Sequence, residues 1–327
     1  MKIKKLHIKN FKSLVDLEIV EPNPFTVFVG ANGVGKSNIF EALEFNSARL
    51  SVAGQFQRIF GSKEDLLSRK SFERVIEIGL TLDPVGSFIT SFDFGENAML
   101  GRRLGNDHDL QNPDHSEIDN FWLTRFSRIF INNKKELKLI YKDDLNLLLD
   151  GSNLELVLKR LLLDESKRQE IIEYLQLLIP EFEKIEVHFD NVGGTDTLLI
   201  YEKVSNTPFK KNLISDGSFN ILCLLTAIFQ SDEPQFLCIE EPENGLTPDV
   251  IKEMVQIFRN ACEEKGHYIW LNTHSQSLVS QLTADELITV DKINGETKVK
   301  QFKGKDFHGL RMDEAWLTNS LGAGLPW

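Results

Sequence analysis

Residues 30–37 read Gly30-Ala31-Asn32-Gly33-Val34-Gly35-Lys36-Ser37, the pattern G-x-x-x-x-G-K-[ST], whose spacing suits a row of phosphates. Small residues let the backbone curl so that successive N–H groups point inward at phosphate oxygens, and a helix opening at the end of the loop adds its partial positive charge. Lys36 is placed to reach the outer phosphates and the Ser37 hydroxyl to ligate Mg²⁺. Gly30, Asn32, Gly33, Gly35 and Asn38 complete the candidate cradle. Far downstream, Phe236-Leu237-Cys238-Ile239-Glu240-Glu241-Pro242-Glu243 is an apolar strand ending in adjacent carboxylates. At such a strand tip Glu240 would support the metal and Glu241 would act as base toward an attacking water. A second strand, Tyr268 to Thr273, ends in Thr273-His274-Ser275, where His274 could donate to a terminal phosphate and sense its loss. Ile214-Ser215-Asp216-Gly217-Ser218 is a hydroxyl-and-glycine turn ahead of an apolar helix. It reads as a plain N-cap through Ser215 or Asp216, with an anion-binding helix terminus as the other reading.

The elements that must hold these groups follow from the pattern. Strands are expected over 1–10, 14–20 and 25–29, with Pro22 and Pro24 in the turn before the third. A helix should open near Gly35 and run through Ala42 toward Leu50, since Ile39 and Leu43 recur at helical spacing. Alternating, aromatic-rich pieces between Phe72 and Phe94 suggest further strands of a mixed sheet. The stretch 95–120 has few large apolar residues and reads as a loop or boundary. Leu154, Leu158, Leu161 and Leu162, then Ile171, Ile172, Leu175, Leu178 and Ile179, repeat at three- and four-residue steps until Pro180, which marks a helical lobe. A hairpin follows, with Gly193 and Gly194 in its turn. A helix from Gly217 to Gln230 is apolar on nearly every face. Strand 235–239, helix 248–265, strand 267–272 and a helix from near Ser275 then alternate as a parallel βαβ unit does. The expected organisation is a first lobe over 1–95, a helical insertion over 96–180 and a second lobe over 181–327.

Composition limits the function classes. The 327 residues are 41% hydrophobic and 26% charged, ordinary globular usage for about two domain-sized units. The longest apolar stretch, Ile221 to Phe229, falls far short of the roughly 20 residues that cross a bilayer. Cys223, Cys238 and Cys262 lack metal-ligand spacing and read as reduced core residues, so a cytoplasmic protein without a membrane role is expected. The 37 basic and 49 acidic residues give a net charge of −12, which argues against coating nucleic acid with the whole surface. Lys2, Lys4, Lys5, Lys9 and Lys12 crowd the first strand, either protecting a sheet edge or forming a local basic patch. Phe121, Trp122, Phe126 and Phe130 read as lobe core, with a base-stacking platform as the other reading.

Taken in order, the phosphate loop, the Ser215/Gly217 turn, the acidic strand tip and the Thr273-His274 strand tip resemble the ABC-type ATPase heads of the RecF, SMC and OLD class. The opening Ile3-Lys4-Lys5-Leu6-His7-Ile8-Lys9-Asn10-Phe11-Lys12-Ser13 is similar to that class's first strand and N-F-K-S turn. The likeness extends over residues 1 to 80 and 180 to 290. The middle, with Asp150-Gly151-Ser152-Asn153-Leu154 and paired helices ending Ile179-Pro180-Glu181, resembles stand-alone bacterial AAA-type ATPases linked to phage defence and DNA transactions. The resemblance implies an α/β P-loop NTPase fold, a mixed β-sheet with flanking helices and a helical insertion lobe. It implies ATP and Mg²⁺, with Lys36 and Ser37 on phosphate and metal, Glu240 beside the metal, Glu241 as base, His274 as switch and Asn244 to Leu246 in the D-loop region.

It also implies two protomers facing each other, the Ser215/Gly217 turn of one capping the nucleotide of the other, as a homodimer or higher oligomer. Glu240 departs from the commoner Asp by one methylene, and Asp216 stands where transporters have Gly. A Q-loop glutamine is not assigned; Gln55 and Gln57 are candidates. OLD-type proteins append a nuclease-like domain, for which the short stretch after His274 leaves no room, so a separate effector protein, for example a nuclease, is expected. The apolar end, from Ala315-Trp316 to Pro326-Trp327, either folds back on the head or docks a second subunit. The expected function is an ATP-hydrolysing ATPase that dimerises around ATP-Mg²⁺ and signals to an effector in anti-phage defence or DNA maintenance. The alternatives are a RecF-like DNA-binding repair clamp, in which hydrolysis is secondary, and a transporter motor, against which Asp216 and the N-F-K-S opening speak.

Overall fold

Every residue from Phe25 to Val29, from Phe236 to Glu240 and from Tyr268 to Thr273 is buried, so these strands must be covered on both faces. The covers are seen in a computed structural model that describes residues 2–48, 59–83, 86–94, 99–105, 124–131, 143–191, 194–205 and 207–324. In chain order its strands are β1 (Lys2–Phe11), β2 (Leu14–Val20), β3 (Phe25–Val29), β4 (Val75–Asp83), β5 (Gly86–Phe94), β6 (Met99–Gly105), β7 (Phe126–Ile129), β8 (Phe182–Asp190), β9 (Thr195–Glu202), β10 (Phe209–Lys210), β11 (Phe236–Glu240), β12 (Tyr268–Thr273), β13 (Leu287–Ile293) and β14 (Glu296–Gln301). The helices are α1 (Lys36–Ala48), α2 (Lys63–Leu66), α3 (Leu154–Leu161), α4 (Glu165–Leu178), α5 (Asp216–Phe229), α6 (Pro248–Glu264), α7 (Gln276–Val279) and α8 (Met312–Leu317).

The central sheet has the order β14-β13-β3-β12-β11-β7 and is parallel except for β14. Side chains alternate between two cores, as the two-residue period of a strand requires. Phe28, Cys238 and Trp270 face α1 and the antiparallel sheet β2-β1-β4-β5-β6, where Leu6, Phe40, Phe45 and Phe92 close one core. Val27, Leu237, Ile239 and Leu271 face the other, built with α3 to α6. The third sheet, β10-β9-β8, packs its apolar side chains Phe182, Ile185, Leu198 and Ile200 into that second core. This is the expected α/β arrangement: a mixed sheet with flanking helices.

The segment expected as a helical insertion, 96–180, is helical only in part. β6 extends the antiparallel sheet within the stretch read as a loop, and β7 is the edge strand of the central sheet, beside β11. A four-residue strand whose partner lies more than a hundred positions on leaves no periodicity to read. The helix near Ser275 is a single turn, α7. The β13–β14 hairpin was not expected, although Asn294 (φ +52°) and Gly295 (φ +82°) form the two-residue turn that marks such hairpins.

The C-terminal stretch folds back as far as Gly324. Trp316 is fully buried and donates its indole N–H to the Gly324 carbonyl. The Gly324 N–H donates to the Asp291 carboxylate at 2.8 and 2.9 Å. The docking-tail reading therefore gives way for this part of the chain; Trp327 lies outside the described residues. Phe126 is core, in an edge-to-face pair with Phe236, so it is not a stacking platform. Phe130 is half-buried, and Phe121 and Trp122 lie outside the described residues. Four of the five lysines here face acids: Lys4 pairs with Glu21, Lys5 with Glu18, Lys9 with Glu73, and Lys12, just past the strand, with Glu41, while Lys2 is exposed. Such partly exposed pairs add little stability, but they leave this face close to charge balance. All three cysteines are buried and free. Among the described residues no helix is long and apolar enough to cross a membrane.

Candidate nucleotide-binding and catalytic site

β3 ends at the loop and α1 opens from it with Lys36 in its first turn. Gly35 has φ +105°, and a Cβ there would strike the hydroxyls of Thr297 and Ser13. Only glycine fits both the conformation and the space. Behind the loop runs a chain of hydrogen bonds: Asn38 Nδ2 donates to Ser13 Oγ (2.7 Å), Ser13 meets Thr297 Oγ1 (2.6 Å), and Thr297 donates to the Val34 carbonyl (2.7 Å). The N-F-K-S turn and the late hairpin thus brace the loop from behind. Asn38, expected at the nucleotide, has its side chain committed to this brace. Asn32 is exposed at the loop tip.

Lys36 is 9% exposed, and its Nζ donates to the carbonyls of Gly30 (2.7 Å) and Ala31 (3.0 Å). Burial pushes its pKa down, against the opposing pull of the Glu241, Glu243 and Glu240 carboxylates. An ammonium held among neutral carbonyls has most of its charge still unpaired, and phosphate oxygens are better partners for it.

Next to it, the Ser37 hydroxyl donates to Glu240 Oε2 at 2.5 Å. Spending its proton there turns the Ser37 lone pairs outward, the orientation a metal ligand needs. Glu240 Oε1 accepts from Arg128 Nε at 2.6 Å and is also paired with Arg128 Nη2, while Arg128 Nη1 reaches Glu44 on α1 at 2.7 Å. Asn272, 2% exposed at the tip of β12, places its amide Nδ2 3.5 Å from Ser37 Oγ. The donor set fits Mg²⁺: Ser37 and Glu240 offer hard oxygens, and Mg²⁺ usually takes only one or two protein ligands beside phosphates and water.

Glu241 adopts φ +48°, a region that costs a non-glycine residue about 1–3 kcal/mol and persists only where neighbours enforce it. Its N–H donates to the Asn272 carbonyl (3.0 Å), and its Oε2 accepts from Asn244 Nδ2 (3.0 Å). His274 Nδ1 lies 3.6 Å from Glu241 Oε1, so the predicted base and switch are neighbours. Both are partly open to solvent, as groups meeting water and phosphate must be. Glu243 accepts from the Thr273 hydroxyl at 2.5 Å while its other oxygen is buried without a partner among the described residues. Burial accordingly pushes its carboxyl above the ordinary range.

The Ser215/Gly217 turn is built differently. Ser215 is exposed and caps α5, its Oγ accepting from the Ser218 N–H at 3.1 Å. Gly217 packs against Gly245 so tightly that a Cβ would strike the Gly245 carbonyl. Asn220, 2% exposed, donates from Nδ2 to the carbonyls of Pro242 (2.8 Å) and Asn244 (2.9 Å). The head of α5 is therefore clamped to the segment that follows Glu241.

The strand tips bring Lys36, Ser37, Glu240, Glu241 and His274 together as expected, with Ser215 and Gly217 on a separate helix end. Sequence reading missed Arg128, Glu44, Asn220, Asn272 and Thr297. Asn272 just before Thr273-His274, Asn220 three residues after Gly217 and Glu44 seven after Ser37 were within reach of the motifs; Arg128 and Thr297 lie far from any of them in sequence. Gln55 and Gln57 lie outside the described residues.

This combination defines a P-loop ATPase head of the ABC type, in the RecF and SMC class. The chain belongs to the family described as "AAA domain, putative AbiEii toxin, Type IV TA system", whose model matches residues 25–280. Its fold is similar to that of an SMC head crystallised with the C-winged helix domain of ScpA, with a TM-score of 0.62 and 18% identity, over 96% of this chain and 100% of that one. In sequence it is 29% identical over 116 residues to the energy-coupling factor transporter ATP-binding protein EcfA2 of Lactobacillus acidophilus, 36% of each chain. It is 32% identical over 88 residues to the DNA replication and repair protein RecF of Citrifermentans bemidjiense, 24% of each chain. The chain spans between 4% and 36% of the length of the curated relatives it matches.

Proposed function

We propose that the chain binds and hydrolyses ATP with Mg²⁺, that two copies close around two nucleotides, and that the closed pair signals to a separate effector in a bacterial cytoplasm, in anti-phage defence or DNA maintenance. The observation that carries this reading is the division of the site. Lys36, Ser37, Glu240 and Glu241 converge on one loop, whereas Ser215 is exposed and self-capped on another helix end, ready to meet a phosphate from outside.

In this reading the loop N–H groups and Lys36 hold the triphosphate, and Ser37 presents its lone pairs to Mg²⁺ with Glu240 behind it. Bound Mg²⁺ supplies neutralisation of the charge that develops on the phosphoryl oxygens. Glu241 accepts the proton of the attacking water, and His274, beside it, donates to the terminal phosphate. Asn220 and the Gly217–Gly245 contact tie the partner-facing turn to the segment bearing Asn244, which in turn holds Glu241. Closure on a partner would thereby steady the base. The charge-balanced β1 face favours an effector partner over a DNA clamp.

The test is the molar mass in solution of the Glu241→Gln protein, which binds ATP but hydrolyses it slowly. The mass should double on adding ATP-Mg²⁺, and Ser215→Arg should abolish the doubling. A mass indifferent to ATP-Mg²⁺ would sink the paired-head reading.

A further inference from the structure

Arg128 is the one buried arginine side chain seen among the described residues at this site, and no motif predicts it. Its side chain is 2% exposed, as is that of Glu240, and Glu44 is 11% exposed. β7 runs parallel to β11 with Arg128 opposite Cys238. Arg128 and Glu240 therefore share a face of the sheet, one diagonal step apart, within reach of a long side chain. That face looks toward α1, which supplies both Ser37 and Glu44.

A buried ion pair of this kind is a poor source of stability, because desolvation consumes most of the attraction. Its geometry is more informative than its energy. Arg128 engages Glu240 through Nε and Nη2 on the same oxygen, Oε1, and anchors its remaining arm on Glu44. Oε2 is left for Ser37. A free glutamate has three side-chain torsions and could present either oxygen. With Arg128 in place, only Oε2 is left on the side of Ser37, where a metal would be held, and the guanidinium offsets the charge of the other oxygen.

Resting on the proposed metal role of Glu240, we infer that Arg128 is a positioning residue for Mg²⁺. It locks Glu240 so that Oε2 and the Ser37 hydroxyl form a pre-set pair, and it links that pair to α1 through Glu44. Lysine could not replace it, since one ammonium lacks the planar fork that spans two carboxylates.

The test compares the affinity of a fluorescent ATP analogue with Mg²⁺ and in EDTA for the wild type, Arg128→Lys and Glu44→Gln. Wild type should bind more tightly with Mg²⁺. Arg128→Lys should lose about tenfold of that Mg²⁺-dependent gain while its EDTA affinity stays within about twofold. Glu44→Gln, which removes the charge that anchors Nη1, should lose about threefold. An unchanged Mg²⁺-dependent gain in folded Arg128→Lys overturns the inference, as does an equal loss with and without Mg²⁺, which would mark Arg128 as a support of the loop alone. If Arg128→Lys does not fold, Glu44→Gln decides: an unchanged Mg²⁺-dependent gain overturns the inference. A wild type that binds no ATP, or gains nothing from Mg²⁺, refutes instead the function on which it rests.

Discussion

The phosphate loop with its acidic strand tip and the Ser215/Gly217 turn are both helix N-termini, yet they are finished to different degrees. Around the loop every working group is already held by this chain: Lys36 by two carbonyls, Ser37 by Glu240, Glu240 by Arg128, and the loop backbone by Thr297. At the turn the opposite holds. Ser215 is exposed and, among the described residues, its side chain bonds within its own helix cap, while the residues just inside, Gly217 and Asn220, are pinned to the segment after Glu241. One region is pre-organised for a ligand and the other is presented on a rigid mount. Rigid mounting matters because an exposed side chain ordered only on binding forfeits affinity to the entropy of ordering.

The largest effect should come from breaking the finished half. Lys36→Ala removes the buried ammonium and should lower ATP turnover by at least about a hundredfold, since preorganised charge at the phosphates is worth that much. Calorimetry should register loss of nucleotide binding with little change in melting temperature without nucleotide. If binding and turnover survive, the loop is not the nucleotide site.

Ser215→Arg acts on the other half and sharpens the contrast. It should leave the affinity of the monomer for ATP within about twofold, while turnover becomes independent of protein concentration and falls toward the Glu241→Gln level, about 10²-fold or more below wild type. A loss of ATP affinity equal to that of Lys36→Ala would show that the two regions act on one nucleotide within a single chain, and the comparison would fail.

The smallest effect concerns the core beneath the finished half. His267, just before β12, is fully buried, and burial pushes its pKa down to about 4 from an ordinary 6.5. Its folded-state pKa is depressed, so the unfolded chain takes up a proton that the folded chain refuses. Stability is therefore complete above about pH 6.5 and declines as pH falls toward about 4, by up to about 3 kcal/mol. His267→Gln should flatten this part of the melting-temperature profile. An acid limb that stays unchanged would mean that other groups carry it.

Much of this was legible in the residues. The phosphate loop and both strand tips are contiguous motifs, and β3, β11 and β12 are short apolar runs bounded by turn residues, so their type and order could be read. β7 could not, because its four residues carry no period and its partner strand lies far along the chain. β13–β14 is a different case: Asn294-Gly295 announced the hairpin and went unread.

By itself the sequence determined where Lys36, Ser37, Glu240, Glu241 and His274 sit along the elements, because they lie in local patterns that dictate a loop, a helix start and two strand tips. Only the tertiary structure decided how those groups are aimed. Arg128 and Glu240 are 112 residues apart, and Ser13 and Thr297 are 284 apart. Such contacts depend on strand order and register, which arise when the apolar faces of distant segments are buried together and which no local spacing encodes.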